Sequence, residues 1–269
     1  MSELSQSVSM WKWQGGVSSA QEDLVAHEEP LELQVDGQSL AVLMRTRGHD
    51  EELGTGFLRT EGLINSLADL ESIRHCTTVP SPEAEDNVLQ IRFAPHVRFD
   101  LAKVRRHFFA TSSCGVCGKA TIENALRTHA RVESDVRVTR EVLRSLPDAL
   151  RAGQVAFDET GGLHGAALFD ASGNLQVLRE DVGRHNAVDK VVGWATCTDV
   201  PTRHSLLMVS GRLSFELVQK CVAARVPVLA GISAPTSLAV EMADALGVTL
   251  IGFLRGGSMN VYANPSRVR

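Results

Sequence analysis

The chain contains no uninterrupted apolar run of about eighteen residues, so nothing in it reads as a bilayer-spanning helix. Its first twenty residues are rich in Ser and Gln around Trp11 and Trp13, and they lack the basic start and apolar centre of a secretory signal. There are only five cysteines. An odd, small number suits a reducing compartment in which thiols stay free, and these absences together point to a cytoplasmic protein. A basic excess is missing too: the net charge of -5 gives no general case for nucleic-acid binding. Local basic clusters such as Lys103-Val104-Arg105-Arg106-His107 could still meet phosphate, although this one reads more simply as a solvated helix face. There is no Walker-type glycine-lysine loop and no G-x-G-x-x-G behind a strand, so ATP hydrolysis and dinucleotide hydride transfer have no support. Disorder is excluded for most of the chain, because 269 residues that are 43% hydrophobic can bury a sizeable core as one large domain or two small ones.

Against this background Cys114-Gly115-Val116-Cys117 stands out as the only place where two cysteines come close in sequence. Two thiols at this spacing can share a disulfide, supply one edge of a metal site, or pass a sulfur atom between them, and each option needs a thiolate. Gly118 and the amphipathic run Lys119–Leu126 place the pair in a loop entering a helix. The positive end of the helix and Lys119 would favour ionisation of either thiol. A structural zinc site would need a second such pair or a closely spaced His pair, and neither occurs. Cys76, Cys197 and Cys221 are singletons, most simply small buried hydrophobes.

The pattern along the chain divides it into three parts: a flexible tail over 1–22, an α+β unit over 23–112, and the cysteine loop, connecting helices and an α/β layer over 113–269. Residues 31–35 alternate, Asp36-Gly37 marks a tight turn, and residues 40–44 return as the second strand of a hairpin. Asp50 can cap a following helix whose stripe of Leu53, Phe57, Leu58 and Leu63 packs on that hairpin, and residues 88–93 form another strand. Helices are expected near 119–130 and 140–151. Beyond them short apolar strands alternate with helices of about ten residues in the order β-β-α-β-α-β-α-β, which implies a sheet with parallel strands flanked by helices.

Ligands of such sheets lie beyond the carboxyl ends of the strands. Three strand exits here are rich in small and polar residues: Ser210-Gly211-Arg212, Gly231-Ile232-Ser233-Ala234-Pro235-Thr236 and Arg255-Gly256-Gly257-Ser258. Glycines there admit a ligand close to backbone amides, hydroxyls stand at helix starts, and Arg212 and Arg255 can hold phosphate oxygens, so His185, Ser210, Arg212 and Ser233 are expected in a pocket for a phosphorylated compound. The blander possibility is that Gly and Pro merely make turns and Ser and Thr merely cap helices. The polar segment 179–190 should face the same pocket, with Asp181 capping its helix; His164 and His185 also fit as buried, hydrogen-bonded histidines.

The order of elements resembles the cytidine deaminase fold, whose zinc is held by H-x-E at one helix start and P-C-x-x-C at the next. Here those starts read His185-Asn186-Ala187 and Ser210-Gly211-Arg212, with neither the carboxylate nor the cysteines, so the scaffold is expected without its zinc site. The motif Cys114-Gly115-Val116-Cys117-Gly118, the run Glu180-Asp181-Val182-Gly183-Arg184-His185-Asn186-Ala187-Val188-Asp189-Lys190 and the run Gly252-Phe253-Leu254-Arg255 together resemble the FdhD family, the formate dehydrogenase accessory sulfurtransferases. The resemblance covers nearly the whole chain after the tail.

It implies a cytoplasmic homodimer that takes sulfur from a cysteine desulfurase as a persulfide and delivers it to the molybdenum bis(molybdopterin guanine dinucleotide) cofactor of formate dehydrogenase. The family's persulfide cysteine matches Cys114, its companion matches Cys117, and its cofactor-binding stretch matches Phe253, Leu254, Arg255, Gly256, Gly257 and Ser258. No metal of the protein's own is implied. Three rivals stand beside this reading: a non-catalytic cofactor carrier that chaperones formate dehydrogenase, a thiol-disulfide oxidoreductase, and a metal site. The oxidoreductase normally has its Cys pair just after the first strand of a thioredoxin-like βαβ unit, whereas this pair is expected between helices.

Overall fold

The computed structural model describes residues 4–77, 86–98 and 130–269. Residues 5–26, expected within or beside a flexible tail, instead form an antiparallel hairpin of β1 (Ser5–Gln14) and β2 (Val17–Ala26), in register from Ser5 opposite Ala26 to Gln14 opposite Val17. The turn is Gly15-Gly16 with φ of 60° and 82°, the left-handed backbone that a two-residue hairpin loop requires. Its polar composition concealed it, since most of both strands stands in solvent and shows no apolar alternation.

The α+β unit is a four-stranded sheet in the order β4-β3-β6-β5, built from β3 (Glu29–Val35), β4 (Gln38–Arg45), β5 (Leu70–His75) and β6 (Val88–Phe93). Helix α1 (Asp50–Thr60) packs Leu53, Phe57 and Leu58 onto Leu31, Leu33, Leu89 and Ile91. Asp50 does not cap this helix. His49 holds the cap position with φ of 59°, and the Asp50 carboxylate lies inside the first turn because the buried Arg45 guanidinium binds it at 3.1 and 2.9 Å.

The second half carries α2 (Arg140–Gly153), α3 (Val155–Thr160), β7 (His164–Phe169), β8 (Leu175–Asp181), α4 (Arg184–Cys197), β9 (Leu206–Val209), α5 (Phe215–Ala223), β10 (Val228–Gly231), α6 (Ser237–Leu246), β11 (Thr249–Arg255) and β12 (Ser258–Ala263). Six strands form one sheet in the order β12-β11-β10-β9-β7-β8. Strands β9, β10 and β11 are mutually parallel, while β7, β8 and β12 run against their neighbours. Successive residues of the central strands face opposite layers. Leu207, Val209, Leu229 and Leu250 meet α4, α5 and α6, whereas Leu206, Met208, Val228 and Ile251 meet Leu143, Leu146 and Leu150 of α2. Burial on both faces explains why these strands read as continuous apolar runs.

The two units meet where α1 crosses α4. A Cβ at Gly56 would lie 2.8 Å from the Gly193 nitrogen, and one at Gly193 would lie 2.6 Å from the Glu52 carbonyl carbon, so only glycine admits this backbone-to-backbone approach. No helix among the described residues is long and apolar enough to cross a membrane. Cys76 and Cys221 are buried as expected, but Cys197, at the last turn of α4, is exposed. The helix expected near 119–130, the boundary between 112 and 113, and the Cys114-x-x-Cys117 motif lie outside the described residues, apart from Ala130.

Candidate functional site

The parallel register brings the exits of β9, β10 and β11 to one edge of the sheet, and hydrogen bonds join them in series. Ser210 donates its amide to Gly165 O and accepts the Gly165 amide on Oγ, both at 2.9 Å, which ties the β9 exit to the start of β7. Leu213 donates to Ala234 O and accepts from the Thr236 amide, both at 3.0 Å. The Phe253 amide then donates to Ser233 O at 3.1 Å. A Cβ on Gly211 would touch His164 Nδ1 and the Arg184 side chain at 3.4 and 3.5 Å, so these two side chains lie over the first exit. Of the expected pocket residues, the structure thus gathers Ser210, Arg212, Ser233 and Phe253 on one edge, with His164, Arg184 and His185 at its β7–β8 side.

The stretch from Phe253 to Ser258 divides. Phe253 has φ of 52°, a left-handed conformation that costs a bulky residue about 1–3 kcal/mol, and the exposed Arg255 guanidinium sits 5.7 Å from its ring centre. Leu254 is buried in the core, so only its backbone can meet a ligand. Gly256 and Gly257, with φ of 56° and 76°, make the two-residue turn between β11 and β12, and Ser258 Oγ donates to Arg255 O at 3.0 Å. A Cβ at either glycine would meet nothing within 4 Å, so the turn rather than a close approach demands glycine there.

Segment 179–190 is mostly internal scaffolding, contrary to the expectation that all of it faces the pocket. Arg179 grips Glu52 with Nε and Nη2 at 2.6 and 2.8 Å, and Glu180 accepts the Ala156 and Phe157 amides at 3.0 and 2.8 Å. Asp181 does not cap α4, whose cap position is Gly183. Fully buried, it pairs with Lys190 Nζ at 2.8 Å and accepts from Gly183 N, Asn186 Nδ2 and Thr46 N. Asp189 binds Lys220 at 2.9 and 2.8 Å and accepts from Thr60 Oγ1 at 2.8 Å, joining α1, α4 and α5. These buried pairs were missed because Asp189 and Lys220 are distant in sequence and nothing local marks a charge as inward-facing.

What remains for chemistry is the start of α4. Burial, with help from the Arg184 and Lys220 cations, pushes His185 down to about 4 against the opposing pull of Glu216. Burial and Arg184 also lower His164, although Asp181 opposes them. Both rings are therefore neutral near pH 7, each able to donate from one nitrogen and accept at the other. Two buried polar atoms beside this edge have no hydrogen-bond partner among the described residues: Arg184 Nε and Ser214 Oγ, the latter at the cap position of α5 without capping it. Orphaned donors at a helix start suit phosphate or carbonyl oxygens of a ligand. Among the described residues no group of three or more His, Cys, Asp or Glu side chains is arranged to hold a metal ion.

A profile of the FdhD/NarQ family matches residues 26–269. A protein of Streptomyces coelicolor named "Sulfur carrier protein FdhD" is 52% identical over 261 residues, covering 94% of this chain and 92% of that one. One of the same name from Sulfurisphaera tokodaii is 43% identical over 265 residues, 97% of this chain and 98% of its own. A crystal structure of a candidate formate dehydrogenase accessory protein from Desulfotalea psychrophila superposes with a TM-score of 0.78 at 24% identity, over 99% of this chain and 100% of that one, and so shares its fold.

Proposed function

The chain belongs to the FdhD/NarQ family, and on that premise we propose that it is a sulfur carrier serving formate dehydrogenase, loaded at Cys114 and delivering to the molybdenum bis(molybdopterin guanine dinucleotide) cofactor. The observation that carries the reading is family membership over nearly the whole chain together with the closely spaced Cys114 and Cys117. The neutral His185, with Arg184 Nε and Ser214 Oγ unpaired among the described residues, supports a nucleotide-holding role for the strand-exit edge.

Loading begins when the Cys114 thiolate attacks the outer sulfur of a persulfide on a cysteine desulfurase. A bond forms between Cys114 Sγ and that sulfur, the donor's S–S bond breaks, and the donor thiolate leaves, so Cys114 holds the persulfide. Cys117 either shelters it or attacks Cys114 Sγ; in the second case a Cys114–Cys117 disulfide forms and hydrosulfide departs, after which a reductant must restore the thiols. The cofactor is the substrate of delivery. Arg184, Arg212 and Arg255 hold its phosphates, and Ser210, Ser233 and Ser214 with the Phe253–Ser258 backbone meet its guanine arm, in a homodimer working in the cytoplasm with a zinc-free deaminase-like layer as the platform.

The test is intact-protein mass spectrometry after incubation with a desulfurase and cysteine. A gain of about one sulfur mass that reductant removes and Cys114→Ala abolishes is the expected result. Absence of the adduct on the unaltered chain with a competent desulfurase would leave the cofactor-chaperone reading in its place.

A further inference from the structure

Arginine gathers at the opposite edge of the large sheet, where its parallel strands begin. Arg203 stands just before β9 and Arg225 just before β10, and Arg131 donates to Ala245 O in the last turn of α6 at 3.1 Å. With Arg59 of α1 they line a cavity of about 550 Å³ in which Glu133 is the one carboxylate. A second cavity of about 450 Å³ shares Arg59 and Asn65 with the first and has mixed walls, Val192 and Val200 beside Ser66, Thr196, Thr202 and Asp199. Among the described residues the ion pairs of arginine belong to Arg45, Arg47, Arg151 and Arg179, so none of the four guanidinium groups of the cleft has a counterion in contact.

The backbone at Arg225 gives an independent sign that its side chain is wanted there. It follows the end of α5 in the left-handed conformation, with φ of 57°; its amide donates to Val222 O at 3.0 Å and the Val226 amide to Cys221 O at 2.8 Å. Glycine suits this type of helix ending best, and α3 and α6 indeed close on Gly161 and Gly247 with φ of 66° and 79°. Arginine is thus held at a backbone cost, while its exposed side chain makes no hydrogen bond among the described residues. Fold stability does not account for the choice.

The helices decide which kind of anion fits. Helices α1, α4 and α5 all end at this edge, with Arg59, Cys197 and Ala223 of their last turns in the cavity walls. Helix ends carry partial negative charge and carbonyls without intrahelical partners. A compact phosphate brings acceptors alone and is repelled by those carbonyls. An extended peptide brings carboxylates for the guanidinium forks and backbone N–H donors for the carbonyls.

We propose that this cleft docks an extended acidic segment of a protein partner, with its carboxylates on Arg59, Arg131, Arg203 and Arg225. The surface is separate from the strand-exit edge and stands whether or not Cys114 carries sulfur.

The probe is a fluorescein-labelled peptide of about ten residues alternating Glu and Gly, added to the full-length chain and followed by fluorescence anisotropy. Saturable binding is expected, and none for the same peptide with Gln in place of Glu. R203Q/R225Q should weaken binding about tenfold, as the loss of two exposed charge pairs implies, whereas R74Q/R92Q, which removes two exposed arginines of the small sheet, should change it less than about twofold. R225G separates function from stability: it should bind the probe more weakly yet melt at or above the temperature of the parent, since glycine suits the left-handed position. Citrate, which has carboxylates but no amide donors, should compete only weakly. Failure of the probe to bind overturns the proposal, as does binding that survives R203Q/R225Q or R225G, or equal binding of the Gln peptide. Displacement by inorganic pyrophosphate, citrate or an oligouridylate at lower concentration than by unlabelled peptide overturns it too, the cleft then being a site for phosphate, a small acid or RNA. Thermal melts of both arginine-to-glutamine pairs verify that they fold.

Discussion

Gly193→Ala should destabilise the protein strongly, although the same change in an ordinary helix stabilises it by about 1 kcal/mol. Gly193 lies within α4, and its added methyl would fall inside the Glu52 carbonyl group, 2.6 Å from its carbon and 2.9 Å from Glu52 Cα. Neither atom can rotate away, because both belong to the backbone of α1. Relief requires the two helices to separate by an ångström or so, which stretches the Thr60–Asp189 bond between them and disturbs the Lys220 contacts to both residues and the Arg179–Glu52 pair that ties α1 to β8. Overpacking of a tight core costs about 1–3 kcal/mol, and loosening buried charge pairs adds to it, so a net loss of about 3–5 kcal/mol is expected. For a chain of this size that lowers the melting temperature by roughly 6–20 °C at about 2–4 °C per kcal/mol. The control is Gly153→Ala in α2, where the new methyl would come 2.6 Å from Leu178 Cδ1, the end of a side chain that can turn aside. Thermal and urea denaturation of both variants provide the measurement. If Gly193→Ala melts within about 2 °C of the parent, equivalent to about 1 kcal/mol, the close crossing of α1 and α4 is wrong.

Asp181→Asn leaves the Lys190 ammonium buried without its carboxylate and should cost about 3–5 kcal/mol in urea denaturation; a loss under about 1 kcal/mol counts against the pair's role. His185 titrates near 4 folded against 6.5 for an unperturbed ring, so the unfolded chain binds the proton first and stability falls as pH drops from 6.5 toward 4. His185→Gln should flatten that part of the stability curve, and an unchanged slope refutes the assignment. Glu52 behaves in a lower window. Burial would raise its carboxyl, but the Arg179 hydrogen bonds and His49 outweigh this and bring it down to about 2 from 4.5, so its contribution is complete above 4.5 and disappears as pH falls through 2. Arg179→Leu should therefore be less stable than the parent at neutral pH and converge with it near pH 2.

The large sheet was legible because strands buried on both faces must be apolar throughout, and the helices between them carry single apolar stripes; residues 206–209 and 228–231 show this directly. The β1–β2 hairpin was not legible, since a ribbon wet on both sides leaves no alternation, and its one signal was Gly15-Gly16. The strand-exit site was half legible. Exits fall on one edge whenever consecutive crossovers are parallel, so Ser210 and Ser233 could be placed from the element order alone, whereas Phe253, inside β11, came from the family resemblance. The reading of 179–190 as pocket lining held at Arg184 and His185 but not at Arg179, Glu180, Asp181, Asp189 and Lys190, because polarity in a sequence does not say whether a charge faces water or a partner. Ser214 went unnoticed as well, and its position one residue before an apolar helix was the available signal.

The buried pairs that defeated the sequence reading also govern the site. Asp181 accepts from Thr46 of the α+β unit, from Gly183 and Asn186 at the start of α4, and pairs with Lys190 one turn further along, so one carboxylate fixes the entry of α4 against both units. Asn186 adds a bond to Met44 O at 2.7 Å. Arg184 and His185 stand on that entry, and their neighbours in the chain are thereby held from several directions while Arg184 Nε has no partner among the described residues. Fixed backbone beneath an unsatisfied donor is what preorganised anion binding requires, since little ordering remains to be done when the ligand arrives. The strained Phe253 on the far side of the edge, held by the Ser233 carbonyl, belongs to the same arrangement: the scaffold tolerates local cost where a ligand would meet it and spends its strongest contacts immediately behind.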